Sequence, residues 1–227
     1  MVKNIASYHM NTIIFQVRPC NDAFYQSKLN PWSRYITGCE GKDPGFDVLQ
    51  FVIDEAKKYG IRVHAWMNPY RVSQTALDLE HQDIDDAIQA YVDTLDDLNF
   101  AKRHPEHLVV DGTNKVILAP SHKEVIDFVT KSIMEVVENY DIEGVHIDDY
   151  FYPTQEESFD TAAFKESGNS DLKQWRTENI DNLVKGVYNT IKNVNPNIIF
   201  GISPQGNIDS DCNVLYADVK KWCSEEG

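Results

Sequence analysis

Apolar residues recur along the chain with two alternating periods. NTIIFQVRP (Asn11 to Pro19) is a β-rich run stopped by proline. FDVLQFVIDEAKKYG (Phe46 to Gly60) sets Phe46, Leu49, Val52, Ile53 and Ala56 on one helical face and closes on Gly60 as a C-cap. IRVHAWMNP (Ile61 to Pro69) predicts the next strand. HKEVIDFVTKSIMEVVENYD (His122 to Asp141) has the period of an amphipathic helix, with Ser121 as its N-cap. EGVHIDDYFYP (Glu143 to Pro153) follows as a strand. A polar loop, a helix over 171–193, the strand NIIFGISPQG (197–206) and a helical piece over 214–223 complete the order. An acidic excursion over about 74–115 interrupts the series; it carries one helix over 83–100, and KVILA (Lys115 to Ala119) reads as a short, weak strand at its end.

Strands separated by helices imply parallel βαβ units. No G-x-G-x-x-G follows any strand, which argues against a dinucleotide-binding sheet. The remaining common solution is an α/β fold of the TIM type, a (β/α) barrel occupying 1–227 as a single domain with the excursion inserted. A closed barrel has eight strands and about 250 residues. The pattern here accounts for four to five, so the expectation is a partial barrel. An open barrel leaves strand edges that dimerisation would cover.

Charge narrows the partners. Against 21 basic residues stand 36 acidic ones, a formal net charge of −15, which argues against a nucleic-acid or anionic-membrane surface. No segment reaches membrane-spanning length. Cys20, Cys39, Cys212 and Cys223 show no C-x-x-C spacing and read equally well as free thiols or two bridges.

Candidate chemistry gathers where the strands end. The first strand ends in Gln16, Arg18, Asn21 and Asp22; the second carries His64, Trp66, Asn68, Tyr70 and Arg71. The third carries His146, Asp148, Asp149, Tyr150 and Tyr152, and the fourth ends in Ser203, Gln205 and Asn207. In a barrel all of these ends meet at one mouth. Strand alternation puts His146 and Asp148 on one face, with Val145, Ile147 and Asp149 on the other. An unpartnered buried carboxylate is costly, so one of the adjacent aspartates is assigned to a site and the other to a structural bond; alternation selects Asp148 for the site. Packing roles stand beside the functional ones: a satisfied core histidine for His64, simple packing for Trp66 and Tyr70, and a structural ion pair for Arg18.

Neither G-x-S-x-G nor H-E-x-x-H is present, which argues against a serine-hydrolase elbow and a zincin. A metal-dependent hydrolase using His64, His146 and Asp148 is one reading. Glycoside hydrolysis is another, since it needs paired carboxyl groups and suits a mouth offering Trp32, Trp66, Tyr70, Tyr150 and Tyr152. A carbohydrate-binding fragment without activity is a third.

FQVRPCNDAFYQSKLNPWSRYITG, GKDPGFDVLQFVIDEAKKYGIRVHAWMNPYRVS, EGVHIDDYFYP and FGISPQGN occur in this order and resemble the glycosyl-hydrolase-like 10 family of bacterial TIM-barrel proteins. The resemblance covers most of residues 1 to 220. It implies a (β/α)₈ fold and activity on glycans, with cell-wall peptidoglycan strands as substrate; hydrolysis by carboxylate chemistry calls for neither cofactor nor metal. It also implies an earlier barrel strand and a later one outside this chain, and export from the cell, although MVKNIASYHMN lacks the apolar run of a signal peptide. G-V-H-I-D (Gly144 to Asp148) is further similar to the G-F-R-x-D strand of α-amylase-like barrels, with His146 in place of the arginine. That similarity implies Asp148 as nucleophile or base. Asp149, Asp22 or a residue outside the chain would supply the acid. His64 and His146 would orient and polarise; Arg18 and Asn68 would bind hydroxyls or a carboxylate, and Trp66 and Tyr150 would stack on a sugar ring.

Overall fold

A computed structural model describes residues 2–149 and 151–224. In chain order the elements are α1 (Val2–Ser7), β1 (Thr12–Arg18), α2 (Arg34–Thr37), α3 (Val48–Lys57), β2 (Arg62–Met67), α4 (Ile84–Val92) and α5 (Phe100–Arg103). There follow β3 (Leu108–Val110), β4 (Val116–Leu118), α6 (Lys123–Asn139), β5 (Gly144–Ile147), α7 (Thr161–Ser167), α8 (Leu172–Val194), β6 (Ile199–Ile202), α9 (Ile208–Asn213) and α10 (Val219–Ser224).

β1, β2, β5 and β6 pair in that order, all parallel. The connections run through α3, α6 and α8, which makes the sheet a four-stranded part of a TIM-type barrel. Local chemistry starts the helices where the sequence places them. Asp47 accepts from the backbone N–H of Gln50 to cap α3, and Asp171 accepts from that of Gln174 to cap α8. Leu49 and Ile53 of α3, Ile133 and Val136 of α6, and Leu183 and Val187 of α8 are buried in one core with the strands. Each such side chain contributes roughly 1.5–3 kcal/mol of burial.

Register divides the strand residues into two faces. Phe15, Ala65, Val145 and Phe200 align across the sheet on the helix-covered side, followed by Met67, Ile147 and Ile202. On the opposite side, the barrel interior, lie two layers: Ile14, His64, Gly144 and Ile199, then Gln16, Trp66, His146 and Gly201. Four strands are half of a closed barrel, so this inner face is open. Ile14 is 51% exposed and Ile199 49%, whereas Ala65, Val145 and Ile147 on the outer face are at most 1% exposed.

Some elements differ from the expectations. KVILA does become a strand, β4, but it pairs antiparallel with β3 in a hairpin of the excursion. It is tied back to the segment after β2 through Leu118 N–H donating to the Tyr70 carbonyl. It pairs with β3 and with the segment just after β2 rather than with a parallel barrel strand, so among the described residues the barrel count stays at four. The helix expected over 83–100 is divided, because Asp83 caps α4 while Asn99 caps a separate α5. The residue at the N-cap of α6 is His122 rather than Ser121, and its side chain makes no capping bond. The helical piece expected over 214–223 is shortened to α10 (Val219–Ser224), and a separate short helix, α9 (Ile208–Asn213), precedes it. All four cysteines are free.

Candidate active site at the strand ends

β5 ends at Ile147, so Asp148 and Asp149 stand just beyond it, at the end of the sheet where barrel sites form. Asp148 is 9% exposed. Its Oδ2 accepts from Trp66 Nε1 at 3.0 Å, and Asn68 Nδ2 donates to Oδ1 at 2.9 Å and Oδ2 at 3.0 Å. The orientation of Asn68 follows from its other end, where Oδ1 accepts from the backbone N–H groups of Tyr70 (3.2 Å) and Arg71 (2.7 Å). An amide oxygen so engaged leaves only the NH₂ to face the carboxylate. Asp148 is thus held from β2 by two neutral donors. Asn68 is expected from the sequence to bind sugar hydroxyls or a carboxylate of the ligand; in the structure its NH₂ is engaged by the protein's own Asp148.

One layer down, His146 meets Trp66 edge-on, with ring centroids 6.4 Å apart, and its Nε2 lies 2.7 Å from Ser203 Oγ, just past β6. Gly201 beside it is a needed space, since a Cβ there would sit 3.3 Å from His146 Nδ1. Gly144 does the same for His64, because a Cβ would come within 2.5 Å of that ring. His64 Nε2 is buried without a hydrogen-bond partner. Both histidines are pushed toward the neutral form. For His146 burial is the main cause, opposed by Asp148 and reinforced by His64; for His64 it is again burial, with Arg62 adding to it and Glu143 opposing. His64, His146 and Asp148 are not among the residue groups whose donor atoms converge within 4.8 Å, among the described residues, so the metal-hydrolase reading gains no support from the geometry.

Arg18 is placed elsewhere. The β1–β2 register slips between Gln16 and Arg18, so Gln16 pairs with Trp66 but Arg18 pairs with Met67, on the outer face. A bulge of this kind reverses the alternation that sequence reading relies on. Arg18 is fully buried, its guanidinium 5.3 Å over the Phe128 ring of α6. It donates to Asn30 Oδ1, to the Asn68 carbonyl and to Asn21 Oδ1. Asn21 has φ of +59°, a left-handed position in the turn after β1 that asparagine tolerates. Arg18 therefore supports the backbone of Asn68 instead of meeting a ligand.

Tyr70 and Tyr152 are also corrected from stacking platforms to core residues, both 0% exposed. Tyr152 Oη accepts from Asn179 Nδ2 at 3.1 Å, and its ring lies 5.3 Å under Arg176. Asp22, 1% exposed, accepts from the Cys20 N–H at 3.0 Å and faces a separate small cleft of about 90 Å³ lined by Cys20, Arg34, Glu40 and Tyr91. Burial raises its carboxyl, with Ser33 and Cys20 bonds opposing. Asp149, Trp32 and Arg71 are partly buried, while Ser203 and Gln205 are exposed. Gln205 donates its N–H to Asp211 Oδ1 at 3.0 Å. Tyr150 lies outside the described residues. The site thus brings together Trp66, Asn68, His146, Asp148 and Ser203. The two spacing glycines were missed, although G-V-H and F-G-I each place one at a strand position where β-branched residues are usual.

Comparison with known proteins agrees with this architecture. The family model for glycosyl hydrolase-like 10 matches residues 1–227. The glycosyl hydrolase YngK of Bacillus subtilis (strain 168) is 37% identical over 99% of this chain and 46% of its own length. The glycosyl hydrolase DigH of Escherichia coli (strain K12) is 34% identical over 95% of this chain and 52% of its own. The chain therefore spans about half the length of these curated relatives. Among solved structures, alpha-L-fucosidase isoenzyme 2 from Paenibacillus thiaminolyticus superposes with a TM-score of 0.57 at 16% identity, covering 88% of this chain and 29% of that one. The GH36 alpha-galactosidase AgaA of Geobacillus stearothermophilus gives 0.52 at 16% identity, covering 89% and 24%. Likeness at that identity concerns the barrel fold alone. With a family model matched from end to end, the chain belongs to the glycosyl hydrolase-like 10 family.

Proposed function

We propose that the open end of the sheet binds a glycan and that Asp148 is the carboxylate that attacks, or activates water at, a glycosidic bond. The observation that carries this reading is the clasp on Asp148: a nearly buried carboxylate at the end of β5, aimed by Trp66 Nε1 and Asn68 Nδ2 from β2. Glycoside hydrolysis uses such a group with a second carboxyl acting as acid, a role for which Asp149 is the nearest candidate in sequence. His146 and Ser203, bonded to each other beside it, would orient sugar hydroxyls, and the partly exposed Trp66 ring would face a sugar. Membership of a family with two relatives named glycosyl hydrolases supports the class of reaction. Bacterial cell-wall glycan strands are the proposed substrate.

The test is reducing-end release from purified peptidoglycan glycan strands by the wild type and Asp148→Asn, with and without chelator. Release by the wild type that falls to background in the variant and ignores chelator is expected. Full activity in Asp148→Asn would sink the assignment. Binding to the strands without release by the wild type would make the site a carbohydrate-binding platform.

A further inference from the structure

Away from this site, three histidines and two glutamates converge where the excursion meets the start of α6. We propose that His107, His122 and Glu124 form a binding site for a divalent transition-metal ion, which staples the β3–β4 hairpin to α6.

The geometry carries the case. His107 Nδ1 and His122 Nδ1 face each other at 3.1 Å. Ligand atoms of His107, His122 and Glu124 lie within 4.8 Å of one another. Around a tetrahedral zinc ion with Zn–N bonds of about 2.0–2.1 Å, neighbouring ligand atoms are about 3.3 Å apart. Imidazole pairs with a carboxylate suit zinc, nickel and copper. Without an ion, one of the two nitrogens carries a proton shared with the other. Binding turns both Nδ1 lone pairs to the metal, and the ring that held the shared proton shifts to its Nε2–H tautomer, so both imidazoles stay neutral.

The rings are held in place before any ion arrives. The His107 carbonyl accepts from Ala119 N–H at 2.8 Å, which fixes the backbone across the hairpin. Phe100 stacks on His107 (centroids 6.0 Å) and on Phe128 of α6 (4.1 Å). Metal-bound histidines characteristically present their second nitrogen to a carboxylate. Here Glu106 Oε1 lies 3.8 Å from His107 Nε2 and is itself held by His104 Nδ1 at 3.1 Å. His122 occupies an N-cap, a position that favours Ser, Thr, Asp or Asn, yet its side chain makes no capping bond and turns to His107. Glu124 in the first turn offsets the positive helix end, which would otherwise repel a cation.

Calorimetric titration of the full chain with Zn²⁺ tests the site, with melting temperature read with and without chelator. One ion per chain and a melting temperature raised by Zn²⁺ are expected, both lost in the His107→Ala/His122→Ala double variant. Glu124→Gln, a surface change that leaves the core intact, should weaken binding at least tenfold, and Glu106→Gln about tenfold. His81→Ala, at an exposed histidine beside Asp78, should change nothing. Zinc binding unchanged in the double variant would overturn the site. So would a wild type that binds no Zn²⁺, or binding abolished by Glu106→Gln but untouched by Glu124→Gln.

Discussion

Replacing Asn68 with aspartate interrogates the clasp directly. The substitution is nearly isosteric and keeps an oxygen for the N–H groups of Tyr70 and Arg71. It also exchanges the NH₂, now 2.9 and 3.0 Å from the two oxygens of Asp148, for an oxygen in the same place. Two charges about 3 Å apart repel by roughly 5–6 kcal/mol at an effective dielectric constant of about 20. The pair escapes by sharing a proton, and one of its two apparent pKa values rises by about 2–3 units. A group whose folded-state pKa is raised stabilises the fold below its unfolded value, and that contribution is lost as pH climbs through the raised one. At about 1.4 kcal/mol per unit, and with the first unit above the ordinary carboxylate value already passed at pH 5, Asn68→Asp should lose roughly 1–2.5 kcal/mol relative to the wild type between pH 5 and pH 8. Urea unfolding midpoints at the two pH values measure it. Asn68→Ala serves as the control: it strands the N–H groups of Tyr70 and Arg71 at a cost of about 1–3 kcal/mol each and removes one donor from Asp148, but it adds no second carboxylate and so should change far less than Asn68→Asp between pH 5 and pH 8. Parallel pH curves for Asn68→Asp and the wild type would show that the amide and the carboxylate do not face each other.

Arg18→Met should destabilise by about 3 kcal/mol or more, because acceptors on Asn21, Asn30 and Asn68 are left buried; Arg18→Lys should recover little, since an ammonium cannot span that fork, and chemical unfolding reads both. Gly144→Ala should cost about 1–3 kcal/mol by driving a methyl group into the His64 ring, and Gly144→Ala combined with His64→Ala should regain most of it. His64, His107 and His146 all have pKa values lowered mainly by burial. Their contribution is therefore present above the ordinary histidine value and fades as pH falls through the lowered ones, so melting temperature should drop in mild acid and drop less in His146→Gln. Asp22 has the opposite sign: with its carboxyl raised by burial, Asp22→Asn should gain on the wild type as pH rises above the ordinary carboxylate range, as seen in melting curves.

The order of the barrel strands was legible because each combines a β-rich run with a turn or proline, and the helices between them bury a clear 3.6-residue face. The position of Asp148 at the end of the sheet was legible too, because the period of two in G-V-H-I-D continues to the last residue of β5 and one step past it. Arg18 was not, since a single bulge turns the side chain from the mouth to α6. Tyr70 and Tyr152 carry polar tips that composition cannot distinguish from ligand contacts; only the packing around them shows that both rings are sealed. KVILA has strand composition, but composition does not choose a partner, and the hairpin with β3 competes successfully with the barrel edge.

By itself, then, the amino-acid sequence determined the parallel α/β plan, the family and the strand ends where polar groups collect, since all three rest on local periodicity and on residues adjacent in the chain. Only the tertiary structure decided which of those polar groups meet. The Trp66–Asn68–Asp148 clasp joins residues about 80 positions apart, and the His107–His122 contact joins the excursion to a barrel helix. Such pairings depend on register, a bulge and the space left by two glycines. Those are properties of neighbouring strands, and no single stretch of sequence contains them.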